Sequence, residues 1–504
     1  MSTETNPVHL AIDLGASGGR VLAGHVSSAG IALEQIHRFP NEGLTVGNRL
    51  VWNLLGQWQH VLAGLNLAAA RYGSRVRSVG ADTWGVDYVL LDRNDDLVGP
   101  CYHYRDSRTV GLLERAFQLL SRKEIFEATG IQFMEINTLI QLFSMREENS
   151  PLLDIAEHFL MIPDFLHWQL SGEKINEFTN ASTTQMLSAD QPQWSDRILK
   201  AFDIPTHLFS PPQQPGISLG PITPNVSNAT GLHKQVETIV PATHDTGSAV
   251  LAVPADTFAQ TTPDWCYISC GTWSLMGAEL ARPVLTPECQ LFNFTNEGGV
   301  LGSVRLLKNI AGLWIVQQCA AQWKREGRDW SWERMIQMAE SAPTLESVID
   351  TDDPMFVAPI NMPEAVREYC KRTGQPIPET EGAIFRCALE SLALRYRLVL
   401  GNLEQLVGQK MKTIYMVGGG VQNRMLCQFA ADACQLPVVA GPVEATALGN
   451  IIMQAIGTGE LDSVIEARKL LFNSAEIKHF EPRSSACWDA GFETLRRLTL
   501  SGNR

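Results

Sequence analysis

The sequence predicts an α/β chain of two similarly built domains, and three observations support that fold class. First, 504 residues are more than one ordinary hydrophobic core organises. Second, both halves repeat one order of elements: a strand, a glycine-containing turn, a second strand and, later, helices. Third, 45% hydrophobic residues, 19% charged residues and 40 glycines are typical of a soluble, well-packed globular protein rich in tight turns.

The first half opens with three short segments that favour strands. Residues 8–13 form the first, "RVLAGHV" the second and "IALEQIHRFP" the third, and each is too short and too rich in β-branched residues for a helix. We therefore expect a three-stranded meander. Apolar residues from Trp58 to Leu65 then recur at helical spacing, and "VRSVGADTWGVDYVLLD" predicts a strand, a polar break and another strand.

Pro and Gly interrupt the chain between residues 150 and 240, and the domain boundary is expected just beyond them, near 252–263. This divides the chain into a domain of residues 1–252 and a domain of residues 253–504. The second half opens with the strand-turn-strand pattern "WCYISCGTWSLMG". It continues with a helical pattern that includes Ile310, Leu313, Trp314 and Gln317, with a long helix from Gly382 to Val407, and with "KTIYMVGGGVQN", a strand, glycine turn and helix.

Composition excludes several classes of protein. A net charge of -14 argues against nucleic acid as a partner, because phosphate backbones require clustered Lys and Arg. No C-x-x-C pair supports a zinc site, and no apolar run approaches the ~20 residues of a membrane helix. The N-terminus lacks the basic and apolar regions of a signal peptide, so we expect a cytoplasmic protein with reduced thiols. Whether Cys370 and Cys387 pair stays open.

The string "DLGASGGR" forms a first glycine turn, residues 15–19. It is not a dinucleotide fingerprint, because the spacing is not G-x-G-x-x-G and a strand follows where a helix N-terminus is required. Backbone N–H groups of such a turn can still bind phosphate, and Ser17 and Arg20 add a hydroxyl donor and a cation. Asp13 would organise Mg²⁺ through water. The alternative is an ordinary glycine-rich hairpin.

Two further turns carry the same signal. The second glycine turn, within "CGTWSLMG", places Gly271 and Thr272 between two strands, where they could contact terminal phosphates. The third, residues 418–420 of "VGGGVQN", would let a flat purine lie against the backbone before a helix. A plain hairpin and a helix N-cap loop are the respective alternatives.

The stretch "THDTGSAV" raises the question of a hydrolytic triad, since His244, Asp245 and Thr246 are adjacent. Sequence neighbours point in different directions, so they cannot form a nucleophile–base–orienter line by themselves, and no G-x-S-x-G elbow occurs. A lone Asp suffices as the base of a phosphoryl transfer, in which the protein mainly aligns reactants and neutralises charge. For Asp245 a helix N-cap is the structural alternative.

Three such turns in this order, over two similar halves, resemble the actin-like ATPases. Within that superfamily nearly the whole chain resembles the FGGY carbohydrate kinases, through text that includes "AIDLGASGGRVL", "DTWGVDYVLLD", "YRDSRT", "GIQFMEINTLIQL", "THDTGSAV", "GTWSLMG", "NEGG", "LKNIAGLW", "VGGGVQN" and "AGPVEATALGNI". The resemblance implies an α/β fold of two actin-like (ribonuclease H-like) domains with a catalytic cleft between them. One departure is that "ASGGR" carries a second Gly where Ser is usual, which predicts a looser turn.

The resemblance also implies roles for individual residues. Asp245 would be the catalytic base, and Asp13 would bind Mg²⁺ through water. The residues that would contact ATP are Ala16, Ser17, Gly18, Gly19, Arg20, Thr272, Gln317 and Gly419. The residues that would line the sugar site are Gly85, His244, Asp245, Thr246 and Asn309.

The expected activity is ATP- and Mg²⁺-dependent phosphorylation of the 1-hydroxyl of L-rhamnulose, in L-rhamnose catabolism, by a monomer or homodimer. The segment "ADTWGVD" favours this ketose, because xylulose- and glycerol-type members differ there. A related ketose such as L-fuculose or L-xylulose is the first alternative, since one methyl group is worth only ~1–3 kcal/mol of discrimination. An actin-like ATPase without a sugar acceptor and a nicotinamide oxidoreductase are alternatives from other classes.

Overall fold

The computed structural model describes residues 6–357, 359–483 and 486–501. The chain forms two compact units that are each assembled from separate stretches of sequence. Unit 1 comprises Met1–Thr261, Glu279–Leu306 and Ala445–Ala475, and unit 2 comprises Thr262–Ala278, Leu307–Glu444 and Glu476–Arg504. The predicted division between residues 252 and 253 stays a prediction.

Strands and helices alternate along both units. The strands are β1 (Val8–Gly15), β2 (Gly18–Ser27), β3 (Gly30–Pro40), β4 (Gly43–Val46), β5 (Arg49–Trp52), β6 (Val76–Thr83), β7 (Tyr88–Leu91), β8 (His158–Met161), β9 (Asn176–Glu177), β10 (Pro212–Gln213), β11 (Ser218–Pro221), β12 (Glu237–Ile239), β13 (Trp265–Cys270), β14 (Trp273–Leu280), β15 (Thr295–Gly298), β16 (Val304–Ala311), β17 (Thr413–Val417), β18 (Val438–Ala440) and β19 (Lys478–Phe480). The helices are α1 (Leu54–Tyr72), α2 (Leu112–Leu119), α3 (Arg122–Thr129), α4 (Thr138–Glu147), α5 (Leu152–Ile155), α6 (Ile162–Ser171), α7 (Phe178–Ala181), α8 (Asp196–Ala201), α9 (Pro224–Thr230), α10 (Asp245–Leu251), α11 (Pro287–Leu291), α12 (Trp314–Arg325), α13 (Trp332–Glu340), α14 (Met362–Arg372), α15 (Glu381–Val407), α16 (Arg424–Cys434), α17 (Ala445–Gly457), α18 (Val464–Ser474) and α19 (Ala486–Ser501).

Unit 1 is built on a six-stranded sheet in the order β11-β12-β6-β1-β2-β3. The antiparallel pairs β1–β2 and β2–β3 form the predicted meander, so a strand does follow the first glycine turn. β12, β6 and β1 run parallel, and their carboxyl ends therefore lie at one edge of the sheet. Brought together at this edge are Asp13 of β1, Asp82 of β6 and the segment that leads from β12 to His244.

The seven-stranded sheet has the order β15-β16-β14-β13-β17-β18-β19. In unit 2, β13 and β14 form an antiparallel hairpin, and β13, β17 and β18 run parallel. The central pattern of both units is thus the same, a strand-turn-strand hairpin beside parallel strands, and the predicted repeat of elements is confirmed. The predicted long helix is also confirmed as α15. The predicted helix around Ile310 is wrong at its start, because Ile310 belongs to β16 and α12 begins at Trp314.

Helix α17 packs against β1, β6 and α10 in unit 1. It approaches α10 so closely that a Cβ on Gly449 would lie 1.8 Å from the carbonyl oxygen of Ser248. Glycine is therefore required at this point of α17, despite its cost of about 0.5–1 kcal/mol in a helix interior. The contact holds α10, the helix that Asp245 begins, against the sheet.

Unit 2 packs its helices around α15, which contacts α13, α16 and α19. A small cluster of buried apolar side chains lies in this unit: Val348, Ala393, Leu394, Ala433, Trp488 and Leu495. All ten cysteines of the chain are free thiols, Cys370 and Cys387 included. Among the residues that the structure describes, no helix combines the length and the apolar character needed to cross a membrane.

Candidate functional site

The first glycine turn is a tight hairpin loop of unit 1 in which Gly15 pairs with Gly18 across Ala16 and Ser17. Ser17 is exposed at its tip. Asn41 is buried and donates from its side-chain amide to the carbonyl oxygen of Gly15 at 2.8 Å. The backbone of the turn is therefore fixed by a residue that the sequence alone did not single out.

A second glycine was expected to loosen this turn, and of its two adjacent glycines Gly19 is tightly packed. A Cβ at Gly19 would lie 2.3 Å from the ring of Phe39 and 2.7 Å from the Leu14 side chain. The Phe39 ring occupies the space that a serine side chain would need. Gly19 thus accompanies an aromatic residue on β3, and the expected looseness of the turn stays a prediction.

Asp13 and Arg20 face each other across the β1–β2 hairpin. They are directly opposite in the antiparallel register, and Arg20 Nη2 donates to Asp13 Oδ2 at 2.5 Å. Cross-strand neighbours of opposite charge attract, so each residue fixes the position of the other. The pair places a cation and a carboxylate beside the first glycine turn, where the sequence predicted a phosphate contact and a water-mediated Mg²⁺ contact.

Asp82 is the β6 counterpart of Asp13, with which it pairs in the parallel register. It is fully buried, and Asn450 Nδ2 of α17 donates to its Oδ2 at 2.6 Å, while Oδ1 has no hydrogen-bond partner within the described part of the chain. Burial and the neighbouring Asp13 carboxylate raise the pKa of Asp82 well above its usual range. No cluster of three or more His, Cys, Asp or Glu side chains among the described residues forms a ready metal cage.

Asp245 is the first residue of α10, and the preceding His244 takes the N-cap position without a side-chain cap bond. Asp245 Oδ1 accepts from the Thr246 backbone N–H at 2.6 Å and from its hydroxyl at 3.1 Å. The side chain is 33% exposed. The N-cap alternative is therefore not what the structure shows, and the second oxygen, Oδ2, is left without a hydrogen bond among the described residues.

A hydrolytic triad is not formed by these three residues. In a triad the imidazole stands between the nucleophile and the carboxylate. Here Thr246 Oγ1 donates to Asp245 Oδ1 directly, and His244 Nε2 lies 3.3 Å from the same oxygen. The carboxylate therefore links the hydroxyl and the imidazole, and no hydrogen bond joins His244 to Thr246 among the described residues.

Gly85 lies beside His244, two residues after the end of β6, and its contact with the sugar stays a prediction. A Cβ on Gly85 would lie 3.3 Å from His244 Nε2 and 3.0 Å from Thr183 Oγ1. The next residue, Val86, has φ of 68°, a left-handed conformation that is strained for a β-branched side chain. Val86 is held there because its N–H donates to Thr183 Oγ1 at 3.2 Å and its carbonyl accepts from Thr138 Oγ1 at 2.6 Å.

The backbone that leads to His244 is held by a buried carboxylate, Glu177, which the sequence did not single out. Glu177 Oε2 accepts from the Thr243 hydroxyl at 2.6 Å and from the Thr243 N–H at 3.2 Å, while Oε1 accepts from the Thr179 N–H at 2.8 Å. Thr179 Oγ1 in turn accepts from the His244 N–H at 3.2 Å. These hydrogen bonds therefore fix the backbone position of His244.

The second and third glycine turns meet in unit 2. β13 and β17 are parallel neighbours with Ser269 opposite Val417, so the turns that follow them lie at one edge of the sheet. A Cβ on Gly420 would collide with Cys270 Sγ at 2.2 Å, whereas a Cβ on Gly419 would meet nothing within 4 Å. Gly419 is exposed, so its backbone is open to a ligand.

Helix α12 begins directly at the second glycine turn. The Leu313 and Trp314 N–H groups donate to the carbonyl oxygens of Gly271 and Thr272 at 3.0 and 3.1 Å. Gln317 follows one turn later on α12 and is half-buried. Thr272 and Gln317 are thus brought near each other by local structure. Asn309 lies on β16 in unit 2, and its sugar contact stays a prediction.

Replacing Gly312 by Ala is expected to displace the second glycine turn. A Cβ there would lie 2.5 Å from the Trp273 carbonyl carbon, 2.7 Å from the Ser274 nitrogen and 2.8 Å from the Gly271 oxygen, all backbone atoms that cannot rotate away. We expect the free energy of unfolding in urea to fall by about 1–3 kcal/mol and the affinity for ATP, the ligand predicted for this turn, to fall with it.

The matched control for Gly312→Ala is Gly401→Ala. Gly401 lies in α15, where a Cβ would meet nothing within 4 Å, so the substitution removes a helix-weakening glycine without a collision. We expect this variant to unfold at the same or a higher urea concentration. Equal free energies of unfolding and equal ATP affinities in the two variants would contradict the packing of Gly312 against the second glycine turn.

Comparison with known proteins agrees with this architecture. Residues 8–252 match the family model of the N-terminal domain of the FGGY family of carbohydrate kinases, and residues 266–458 match that of its C-terminal domain. The chain is 43% identical over 482 residues to a rhamnulokinase of Bacteroides thetaiotaomicron, covering 96% of this chain and 97% of the relative. It is 40% identical over 492 residues to a rhamnulokinase of Pectobacterium atrosepticum, covering 97% and 96%.

Solved structures of sugar kinases share the fold. A gluconate kinase from Lactobacillus acidophilus matches with a TM-score of 0.78 at 14% identity, over 99% of this chain and 97% of the other. Plasmodium falciparum glycerol kinase with ADP matches with a TM-score of 0.76 at 15% identity, over 100% and 99%. At such identities the likeness concerns the fold alone, and it confirms the predicted two-domain α/β fold of the actin-like type.

Proposed function

We propose that this chain, which belongs to the FGGY family of carbohydrate kinases, transfers the γ-phosphoryl group of ATP to O1 of L-rhamnulose. As a member of that family it is a carbohydrate kinase whose substrates are ATP and a sugar. The substrate assignment is supported by the rhamnulokinases to which the chain is similar over nearly its whole length. The product is L-rhamnulose 1-phosphate, as expected for an enzyme of L-rhamnose catabolism.

The observation that carries the reaction is the arrangement of the Asp245 carboxylate. Its Oδ1 is held by two donors of Thr246, which fixes the plane of the group and leaves Oδ2 to act. As O1 attacks the γ-phosphorus in line, its proton passes to Oδ2, the O1–phosphorus bond forms, and the bond from phosphorus to the ADP oxygen breaks. General-base help of this kind is typically worth ~10²–10⁴-fold in rate.

The nucleotide would be bound by backbone groups of the glycine turns. In unit 1 the N–H groups and the hydroxyl of residues 16–20 would contact phosphate oxygens, with Arg20 as the cation. In unit 2 Thr272 and Gln317 would contact phosphates or ribose, and the open backbone of Gly419 would lie against the purine. The exposure of Ser17 and Gly419 supports these roles, because both residues are open to solvent and therefore to a ligand.

Mg²⁺ would be held through water by Asp13. The residues present fit the ion, because the buried Oδ1 of Asp82 has no partner within the described residues and lies beside Asp13 in the parallel register, so two carboxylates face one place. When bound, the ion supplies positive charge that neutralises the phosphates. The cytoplasmic location that we propose is supported by the ten free cysteines, which are typical of a reducing compartment.

A screen of ADP release across ketoses tests the proposed function. Purified protein with ATP and Mg²⁺ is given L-rhamnulose, L-fuculose or L-xylulose at equal low concentration, and a reaction without sugar measures background hydrolysis. We expect kcat/KM to be highest for L-rhamnulose, by about tenfold or more, and the phosphorus NMR spectrum of the product to show coupling to the C1 protons. A higher value for another ketose would reassign the substrate. ADP release that no sugar stimulates would favour an ATPase without an acceptor.

A further inference from the structure

His244 contacts a buried ion pair, Arg305 and Glu297, neither of which is among the residues predicted to bind the sugar or ATP. Arg305, on β16, is 1% exposed, and Glu297, on β15, is 5% exposed. Arg305 Nη1 lies 3.2 Å from Glu297 Oε2, and Arg305 Nε donates to the Gly298 carbonyl oxygen at 2.9 Å. Arg305 Nη2 lies 3.1 Å from His244 Nδ1 in hydrogen-bonding geometry. All four residues belong to unit 1.

The direction of the Arg305–His244 bond follows from the chemistry of the guanidinium group. Arginine has five N–H donors, no acceptor, and a charge that it keeps in proteins. His244 Nδ1 can therefore only accept, which means that this nitrogen carries no proton. A neutral imidazole then carries its proton on Nε2, because the bond made by one ring nitrogen decides the tautomer of the other.

Glu297 is the competing partner of the same nitrogen, but its geometry excludes it. Glu297 Oε2 lies 3.3 Å from His244 Nδ1, yet this oxygen makes no hydrogen bond among the described residues. Burial by itself raises the pKa of Glu297, and the neighbouring Arg305 and His244 together lower it below its usual range. Glu297 is thus the counter-charge that permits a buried arginine behind His244.

We propose that Arg305 is a positioning residue that holds His244 as the neutral Nε2–H tautomer, so that this residue presents a hydrogen-bond donor to an oxygen of the sugar. The inference rests on the proposed function for the identity of the ligand, but the tautomer is a property of the free protein. His244 Nε2 faces the predicted sugar site, since the Cβ position of Gly85 lies 3.3 Å away and Asp245 Oδ1 also lies 3.3 Å away.

A donor at this place has a consequence for recognition of the sugar. The base, Asp245, must accept a proton from the attacking hydroxyl, so a second acceptor at Nε2 would compete for that same hydroxyl. An Nε2–H donor instead donates to a lone pair of a hydroxyl or carbonyl oxygen of the sugar. The proton of the attacking hydroxyl is then left for Asp245. Arg305 therefore contributes to the orientation of the ketose without touching it.

Nitrogen-15 NMR of the histidine side chains tests the tautomer directly. Protein labelled with ¹⁵N-histidine gives long-range proton–nitrogen correlations that distinguish Nε2–H, Nδ1–H and doubly protonated rings, and His244→Gln assigns the signals of His244 by their loss. In the free wild-type protein at neutral pH we expect the Nε2–H pattern. An Nδ1–H or doubly protonated pattern overturns the proposal, whatever the enzyme does with a ketose.

Arg305→Met removes the donor while keeping an unbranched side chain of similar length. We expect the His244 signals to leave the Nε2–H pattern and the KM for the ketose to rise by roughly tenfold, with the KM for ATP and kcat changed less than about threefold. Arg93→Met is the matched control, because it makes the same chemical change at an exposed position of unit 1. An unchanged tautomer together with an unchanged ketose KM overturns the proposal.

Glu297→Gln serves as the second variant, in case Arg305→Met does not fold. It removes the counter-charge but keeps the Arg305 donor, so we expect the Nε2–H pattern to persist and the ketose KM to change less than about threefold. A switch of the tautomer in Glu297→Gln would assign control of His244 to the carboxylate and overturn the role of Arg305. Failure of the ketose screen alone would leave these NMR results intact and would contradict only the proposed substrate.

Discussion

Asp245→Asn is expected to lower kcat for the ketose by roughly 10²–10⁴-fold while both substrates still bind. An amide oxygen can still accept from the Thr246 N–H, as Asp245 Oδ1 does at 2.6 Å, so the side chain keeps its place at the start of α10. What the variant loses is the capacity to take a proton, because an amide is not a base at neutral pH. The kcat from steady-state ADP release and the dissociation constants of ATP and ketose from calorimetry together measure the effect.

The control for this variant is Asp256→Asn, which makes the same chemical change at an exposed position of unit 1. We expect it to match the wild type in kcat and in both dissociation constants. Near-normal turnover of Asp245→Asn would remove the residue from the role of base. A collapse of ATP binding in that variant would instead indicate that its carboxylate mainly supports the nucleotide site.

The elements of the fold could be predicted from the sequence because their signals are local. A strand, a glycine turn and a strand occupy fewer than 30 consecutive residues in each half, and the hairpins β1–β2 and β13–β14 form where that pattern stands. The helix was predicted to include Ile310 because this residue has helical spacing with Leu313 and Trp314. In the structure β16 ends just before Gly312, and α12 begins only at Trp314.

The site was predictable only where its residues lie within motifs. Asp245 and the glycine turns were predicted from their motifs. Glu297 lies in the motif "NEGG", which by itself indicates no role for this residue, and Arg305 lies in no motif. Both side chains contact His244 from segments that are distant in sequence, 61 residues away in the case of Arg305. Asn450 reaches Asp82 across 368 residues. Charged and amide side chains favour solvent on average, so their burial beside a partner cannot be inferred from spacing.

Arg468 is another buried charged residue that contacts partners distant in sequence, and it supports α10, the helix that Asp245 begins. It lies on α18 and is 1% exposed, and its Nη2 donates to the Val250 carbonyl oxygen at 3.0 Å, while Nε donates to that of Leu251 at 3.2 Å. These are the last carbonyl groups of α10, which a cation stabilises. Glu279, 2% exposed, pairs with Nη2 at 3.1 Å, and burial raises the pKa of this carboxyl above its usual value.

Arg468→Met is therefore expected to lower the free energy of unfolding by about 3–5 kcal/mol, since it leaves the Glu279 carboxylate buried without its cation and takes a donor from the Val250 and Leu251 carbonyl groups. Urea denaturation at neutral pH measures the loss, and Arg93→Met, exposed in the same unit, should change stability by less than about 0.5 kcal/mol.

The double variant Arg468→Met with Glu279→Met separates the two causes. If the unpaired charge dominates, removal of Glu279 restores most of the stability, because no buried carboxylate then remains. If the carbonyl groups of α10 dominate, the double variant is as unstable as the single one, and kcat falls in both because Asp245 shifts with its helix. A single variant as stable as Arg93→Met would contradict both causes and remove Arg468 from the support of α10.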